Sequence, residues 1–218
     1  MIQYIFLVGF FLMVGILLYA EAKHNMKIRY VCMLSLMPLL LLYYIFSLSI
    51  VQINWLIVIA LIFGYLGDIF LMFNKEEFFV FGLGSFLLGH IFYIIAFLLS
   101  ISNIMMFPIW TILLVLPSLF VVFYVIKRTL GKLGEVKVPT YIYIGVIFFM
   151  GFCAILRFAS FDLTSAIIVW LGANLFMLSD GMIALNKFDK DIPKGEIYIK
   201  LTYVLAQFFI ILGVLIGS

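Results

Sequence analysis

Charge is what this sequence has least of. Only 11% of its 218 residues are Asp, Glu, Lys or Arg, and 67% are hydrophobic, whereas soluble domains carry roughly 25% charged residues. A chain so composed cannot cover itself with a wetted surface, which excludes a soluble globular domain. Cysteine and histidine are also scarce. Cys32 and Cys153 both fall inside apolar runs, where a thiol reads as a small buried hydrophobe and not as half of a disulfide. There are two histidines, one of them, His24, at a helix end; a three-His zinc site cannot be assembled, and no metal is expected. The 13 basic and 10 acidic residues leave a net charge of +3, with no basic tract, so nucleic acid is not an expected partner. No Gly-x-Ser-x-Gly elbow, P-loop or His-Glu-x-x-His motif is present.

What the chain has is apolar length. Charged or turn-rich breaks separate eight apolar segments near 2–20, 28–48, 53–73, 79–99, 106–126, 138–159, 163–185 and 196–217. Runs of about 18 residues or more cross a hydrocarbon core of roughly 30 Å as helices, and lipid offers no partner to an open strand edge. The expected fold is therefore all-α: a single polytopic domain of eight transmembrane helices over residues 1–218. Ala20-Glu21-Ala22 has the look of a signal-peptide cleavage site. However, no Lys or Arg precedes the first apolar run, and basic residues follow it, so it is read as a membrane helix. Ser47, Ser49, Gln52 and Asn54 mark the turn between the second and third segments.

The few charges set orientation. Twelve basic residues (Lys23, Lys27, Arg29, Lys75, Lys127, Arg128, Lys132, Lys137, Lys187, Lys190, Lys194 and Lys200) lie in loops after odd-numbered helices, against Arg157 alone in the opposite loops. Basic loops stay in the cytoplasm, so both termini are expected on the other side. With no targeting signal, the plasma membrane is the expected location. Leu66, Asp68, Asn74 and Lys75 recur at the same spacing as Leu178, Asp180, Asn186 and Lys187. Helices three and seven cross in the same direction, so the recurrence points to two parallel four-helix repeats.

Asp68 and Asp180 stand inside these apolar helices. A carboxyl at a helix centre costs about 2.5–3.5 kcal/mol on insertion scales, an expensive way to form a bond that Ser or Asn could supply. Each lies six residues before its Asn-Lys boundary, about 9 Å inside the basic face at 1.5 Å per residue. His90 and Tyr93 share one face of the fourth helix, and Tyr203 and Gln207 one face of the eighth. Counted inward, Tyr203 lies at about 10 Å and His90 and Gln207 at about 16 Å. Together these residues predict a polar cluster in the cytoplasmic half of the bundle. Gly64, Gly67, Gly82, Gly84 and Gly89 are expected to let helices three and four approach closely around it. Glu21, His24, Glu76, Glu77, Asp189, Asp191 and Glu196 lie at helix ends or in loops, where a solvated charge is the default.

Several pieces occur together in order: Gly67-Asp68; Phe86 with His90 and Tyr93; Tyr143 with Met150; Gly172-Ala173 through Ser179-Asp180; and Tyr203 with Ala206-Gln207. Spanning nearly the whole chain, they resemble the lysoplasmalogenase or YhhN-like membrane proteins. The chain departs from that family at Met37-Pro38, where a Lys-Pro pair is common, and so lacks any headgroup contact such a lysine would make. The resemblance implies hydrolysis of the vinyl ether bond of a lysophospholipid, releasing a fatty aldehyde and glycerophosphoethanolamine or glycerophosphocholine. A vinyl ether is cleaved by protonation of its β-carbon, leaving an oxocarbenium ion that water attacks. That chemistry asks for a positioned acid and a negative neighbour, and for no cofactor. Asp68 and Asp180 would be the catalytic pair, one neutral and one ionised. His90, Tyr93, Tyr203 and Gln207 would orient water, the ether oxygen or the carboxyls.

The rival reading is a small-solute or proton-coupled transporter, since intramembrane aspartates also carry protons. Against it stands the lack of Pro- or Gly-broken helices at corresponding places in the two halves. A non-catalytic scaffold leaves the two aspartates unexplained.

Overall fold

The structure, a computed structural model, describes residues 1–73 and 76–218. The Asn74-Lys75 boundary, with Lys75 of the basic set, lies outside the described residues, as does the side chain of Glu76. Among the described residues there is no strand. Eight α-helices follow in order: α1 (Ile2–Ala22), α2 (Met26–Ser47), α3 (Trp55–Leu71), α4 (Glu76–Leu99), α5 (Val115–Thr129), α6 (Lys137–Leu156), α7 (Leu163–Phe188) and α8 (Gly195–Ile216). Seven are long and apolar enough to cross a membrane, α5 when taken with the 3-10 turn before it. The eighth, α3, has 17 residues, about 26 Å of helix against a core of roughly 30 Å.

Helix starts follow local chemistry. Asn25, Asn54 and Asp162 each accept a backbone N–H from the first turn of α2, α3 and α7, satisfying donors that lipid could not. The Asn54 N–H in turn donates to the Tyr44 hydroxyl at 3.1 Å. Ser49 and Gln52 bond each other in the turn between α2 and α3, as the polar residues there predicted.

Three boundaries differ from expectation for identifiable reasons. The fifth segment begins as a 3-10 helix, Ile109–Leu114, before α5. Pro108 precedes the run, and Pro117 supplies no N–H to an i−4 carbonyl. The sixth segment likewise tightens into a 3-10 turn, Arg157–Ala159. Finally, α7 runs through Asn186 and Lys187 to Phe188, because Asn186 Oδ1 accepts the Ile192 N–H at 2.7 Å and folds the following loop back on the helix end. Asp180 therefore stands eight residues before the end of its helix and Asp68 three before the end of its own. Depth counted from the Asn-Lys motif is not depth counted from the helix end.

Two helix-end acids expected to be solvated are buried in ion pairs. Glu21, at the end of α1, meets Arg29 Nε at 2.9 Å. Asp189, whose side chain is 5% exposed, is gripped by Arg128 at 2.6 Å and Lys132 at 2.5 Å. The Lys132 hydrogen bond, with Arg128 beside it, holds the Asp189 carboxyl below the usual carboxylate range.

The chain groups into two compact units, Met1–Ala96 with Ser218, and Phe97–Gly217. In the first, Phe10, Leu17, Leu36, Leu40, Ile57 and Leu61 form the packed interior. In the second, Met150, Ala154, Val169, Ala173, Ile210 and Ile211 do so. Large apolar side chains such as Leu116, Phe120 and Phe123 of α5 point outward, a surface that only hydrocarbon solvates without penalty.

Candidate functional site

In the first unit, Asp68 lies on the buried stripe of α3 with Ile57, Ala60, Leu61, Gly64 and Gly67, residues three, four, seven or eight apart and so on one face. It is 3% exposed. The stripe packs directly against α4. A Cβ on Gly89 would come 3.2 Å from the Ala60 carbonyl oxygen, and one on Gly67 would sit 2.6 Å from the Phe86 ring. Gly82 approaches Leu71 and the Gly67 carbonyl in the same way. Gly84 departs from expectation, with open space where its Cβ would be. His90 and Tyr93 are both buried on α4, and Tyr93 lies within electrostatic reach of Tyr44 on α2. Met37, which precedes Pro38, is buried in α2.

In the second unit the polar residues meet across three helices. The Tyr143 hydroxyl of α6 donates to Asp180 Oδ2 of α7. Tyr203 of α8 stands close enough to Tyr143 to interact electrostatically with it, and its ring meets Phe176 edge-on at 5.4 Å. Gln207 is buried one turn further along α8. Asp180 itself is half-buried. Close helix approach again sets the frame. A Cβ on Gly172 would be 2.8 Å from the Ala206 carbonyl, and one on Gly213 would be 2.6 Å from Val169. Ser179 Oγ donates to the Ile199 carbonyl at 3.0 Å, adding a hydrogen bond between α7 and α8.

The sequence reading expected all six residues in one polar cluster; Asp180, Tyr203 and Gln207 are buried or half-buried in the second unit, and Asp68, His90 and Tyr93 are buried in the first. It missed Tyr143 as a site residue. Nothing in spacing marked it, because its partner is 37 residues away on another helix; its place among the family-like pieces was the only signal. Among the described residues no cluster of three or more His, Cys, Asp or Glu has the makings of a metal site.

These features define an α-helical, multi-pass integral membrane protein with carboxyls set into its apolar helices. The family model described as the YhhN family matches residues 28–214, and the chain belongs to that family. It is 30% identical to "Lysoplasmalogenase TMEM86A" from Bos taurus over 163 residues, and 31% identical to the protein of the same name from Homo sapiens over 160. Each match covers 72% of this chain and 64% of the relative's length. No solved structure matches the chain.

Proposed function

We propose that this protein is a membrane hydrolase that cleaves the vinyl ether bond of a lysoplasmalogen, releasing a fatty aldehyde and a glycerophospho-alcohol. The observation that carries the reading is its similarity to proteins named lysoplasmalogenases across 72% of its length. The chemistry of the chain supports it. Asp68 and Asp180 are carboxyls in membrane helices, and vinyl ether hydrolysis needs one group to protonate carbon and another to stabilise the oxocarbenium ion and take a proton from water. His90, Tyr93, Tyr203 and Gln207 orient these groups or the substrate. The lysolipid enters from the cytoplasmic leaflet of the cell membrane, headgroup at the basic loops, with all eight helices spanning and both termini outside.

The two units are, on this reading, internal repeats. Ala60 meets Gly89 in one and Gly172 meets Ala206 in the other, and each aspartate stands eight residues beyond that crossing. Phe86, Gly89 and His90 of α4 have the spacing of Tyr203, Ala206 and Gln207 of α8.

The test is turnover by the purified protein of a lysoplasmenyl ethanolamine and its 1-acyl counterpart, following aldehyde and fatty acid. Aldehyde from the vinyl ether alone is expected, reduced by about 10²- to 10⁴-fold in Asp68→Asn and Asp180→Asn, the usual range for loss of a general acid or base. Folded protein that makes no aldehyde refutes the proposal. Solute-coupled proton flux in vesicles would then favour a carrier.

A further inference from the structure

The outward face of α5 ends in a group of cations that the proposed chemistry does not use. Leu116, Phe120, Phe123 and Lys127 are spaced four, three and four apart, which sets them on one side of the helix. All four are exposed, and the Phe120 and Tyr124 rings stack at 6.3 Å. The Lys127 ammonium stands 6.0 Å from the centre of the Phe123 ring, so an apolar strip about 16 Å long runs directly into a positive charge. The next two cations are fixed to the end of α7. Arg128 gives Nε and Nη2 to Asp189 Oδ2 at 2.7 and 2.6 Å, and Lys132 gives Nζ to Oδ1 at 2.5 Å. Two cations share one carboxylate, which leaves one positive charge over, and a second with Lys127. The carboxylate is buried, whereas the Arg128 and Lys132 side chains are 41% and 49% exposed, so the charge that faces outward is positive. The loop that presents Lys132 is held in shape: Leu133 is buried, the Lys132 N–H donates to the Thr129 carbonyl at 3.0 Å, and Gly131 and Gly134 take positive φ. Across residues 127–137 Glu135 is the one acid, against Lys127, Arg128, Lys132 and Lys137.

We infer that this end of α5 binds an anionic diacyl phospholipid, its phosphate at Lys127, Arg128 and Lys132 and one acyl chain along Phe123, Phe120 and Leu116. Net negative charge on the lipid is the feature that selects it. Each Lys or Arg beside an anionic leaflet surface strengthens binding by about fivefold, whereas a zwitterionic lipid brings its own ammonium to the same cations and forfeits most of that gain. The strip distinguishes a lipid from a soluble phosphate, which would reach the cations with no chain to lay against the rings. An ethanolamine or choline lysolipid is zwitterionic, so this site differs in its chemistry from the proposed reaction and stands without it.

Native mass spectrometry of the full chain in a neutral detergent reads bound lipid directly. Phosphatidylglycerol and phosphatidylethanolamine with the same acyl chains are supplied in equal amounts to three proteins. These are wild type, Lys127→Gln/Lys132→Gln, and Lys190→Gln/Lys194→Gln, which removes the same charge from the α7–α8 loop. Wild type is expected to favour phosphatidylglycerol. The Lys127→Gln/Lys132→Gln protein should weaken that preference by about 25-fold, fivefold for each lysine, and the α7–α8 variant by less than about twofold. Because Lys132 also holds Asp189, Lys127→Gln alone is measured as well; it leaves that pair intact and must still lose about fivefold. Equal retention of the two lipids by wild type overturns the inference. Equal losses in the two double variants do so too, since they would show a general attraction of the basic loops and no site on α5. Glycerol phosphate, the headgroup chemistry without acyl chains, should leave the bound lipid in place at millimolar concentration; displacement would make a soluble anion the occupant and refute the lipid assignment.

Discussion

Gly172→Ala is the sharpest test of how the second unit is built. The added methyl would lie 2.8 Å from the Ala206 carbonyl oxygen and 2.8 Å from both the nitrogen and Cγ1 of Ile210. Two of those three atoms are backbone of α8, so no rotamer change relieves the contact, and the helices must separate by roughly half an ångström or more to restore ordinary van der Waals spacing. Overpacking of this kind costs about 1–3 kcal/mol, offset by at most about 1 kcal/mol from the better helix propensity of alanine. A net loss of about 1–2 kcal/mol lowers Tm by roughly 2–8 °C for a chain of this size. The matched control is Gly145→Ala in α6, where nothing lies within 4 Å of the new Cβ; there alanine should raise Tm by a few degrees, from about 0.5–1 kcal/mol. If the proposed hydrolysis uses Asp180 of α7 with Tyr203 and Gln207 of α8, the displacement should also slow aldehyde release by at least about tenfold. Thermal unfolding in detergent, paired with turnover at a temperature where both variants are folded, separates the two effects. A Gly172→Ala protein that melts at or above the wild-type temperature would refute the close-approach argument.

Asp189→Asn should lower stability at neutral pH and flatten its acid dependence. The folded carboxyl is held low by Lys132 and Arg128, so its contribution is fully present above the ordinary value near 3.9 and is lost as pH falls through the lower folded value. Melting temperatures taken downward through about pH 4 should fall more steeply for wild type than for the variant; parallel slopes would show that the pair adds nothing. Arg157→Lys should not behave as a conservative change. The guanidinium is 3% exposed, bonds Ser100 at 3.1 Å and Ser165 at 3.4 Å, and lies 3.8 Å over the Phe161 ring. An ammonium keeps the charge but loses the planar stack and the fork, for an expected loss of about 1–3 kcal/mol. An unchanged melting curve would rule the stack out as a source of stability.

Much of the fold was legible because lipid leaves so few alternatives. Eight apolar runs become eight helices, and Ser49, Gln52 and Asn54 announce the α2–α3 turn by the bonds they must make. The missed features depend on partners distant in sequence. Glu21 looked solvated until the chain reversal after α1 brought Arg29 against it. Asp189 likewise needed Arg128 and Lys132 from the α5 end. Helix ends slipped where single residues override hydrophobicity: Pro117 in α5 and Asn186 in α7. Tyr143 shows the same limit at the site. As one of 12 tyrosines it carries no mark of its own, whereas a carboxyl in an apolar helix marks itself by its energetic cost.

The two units share one local pattern beside their aspartates. In lipid, helices associate through close packing, because burying apolar surface gains nothing over the acyl chains. A Gly–Ala crossing therefore pins each pair of backbones at one point, Ala60 against Gly89 and Gly172 against Ala206. Two turns beyond it, about 12 Å along the axis, each helix carries its aspartate. The side chains beside the two aspartates differ. Phe86 stands on α4 where α8 has Tyr203, and it fills the space beside Gly67, the neighbour of Asp68. On the other side, the hydroxyl of Tyr143 reaches Asp180 directly and Tyr203 stands nearby. A phenol offers a neighbouring carboxyl a hydrogen-bond donor, and an apolar ring does not. If the proposed hydrolysis uses this cluster, Tyr203→Phe should lower turnover while keeping the edge-on contact with Phe176, so that aldehyde release falls by more than the loss of stability accounts for; turnover equal to wild type would refute a role for the hydroxyl.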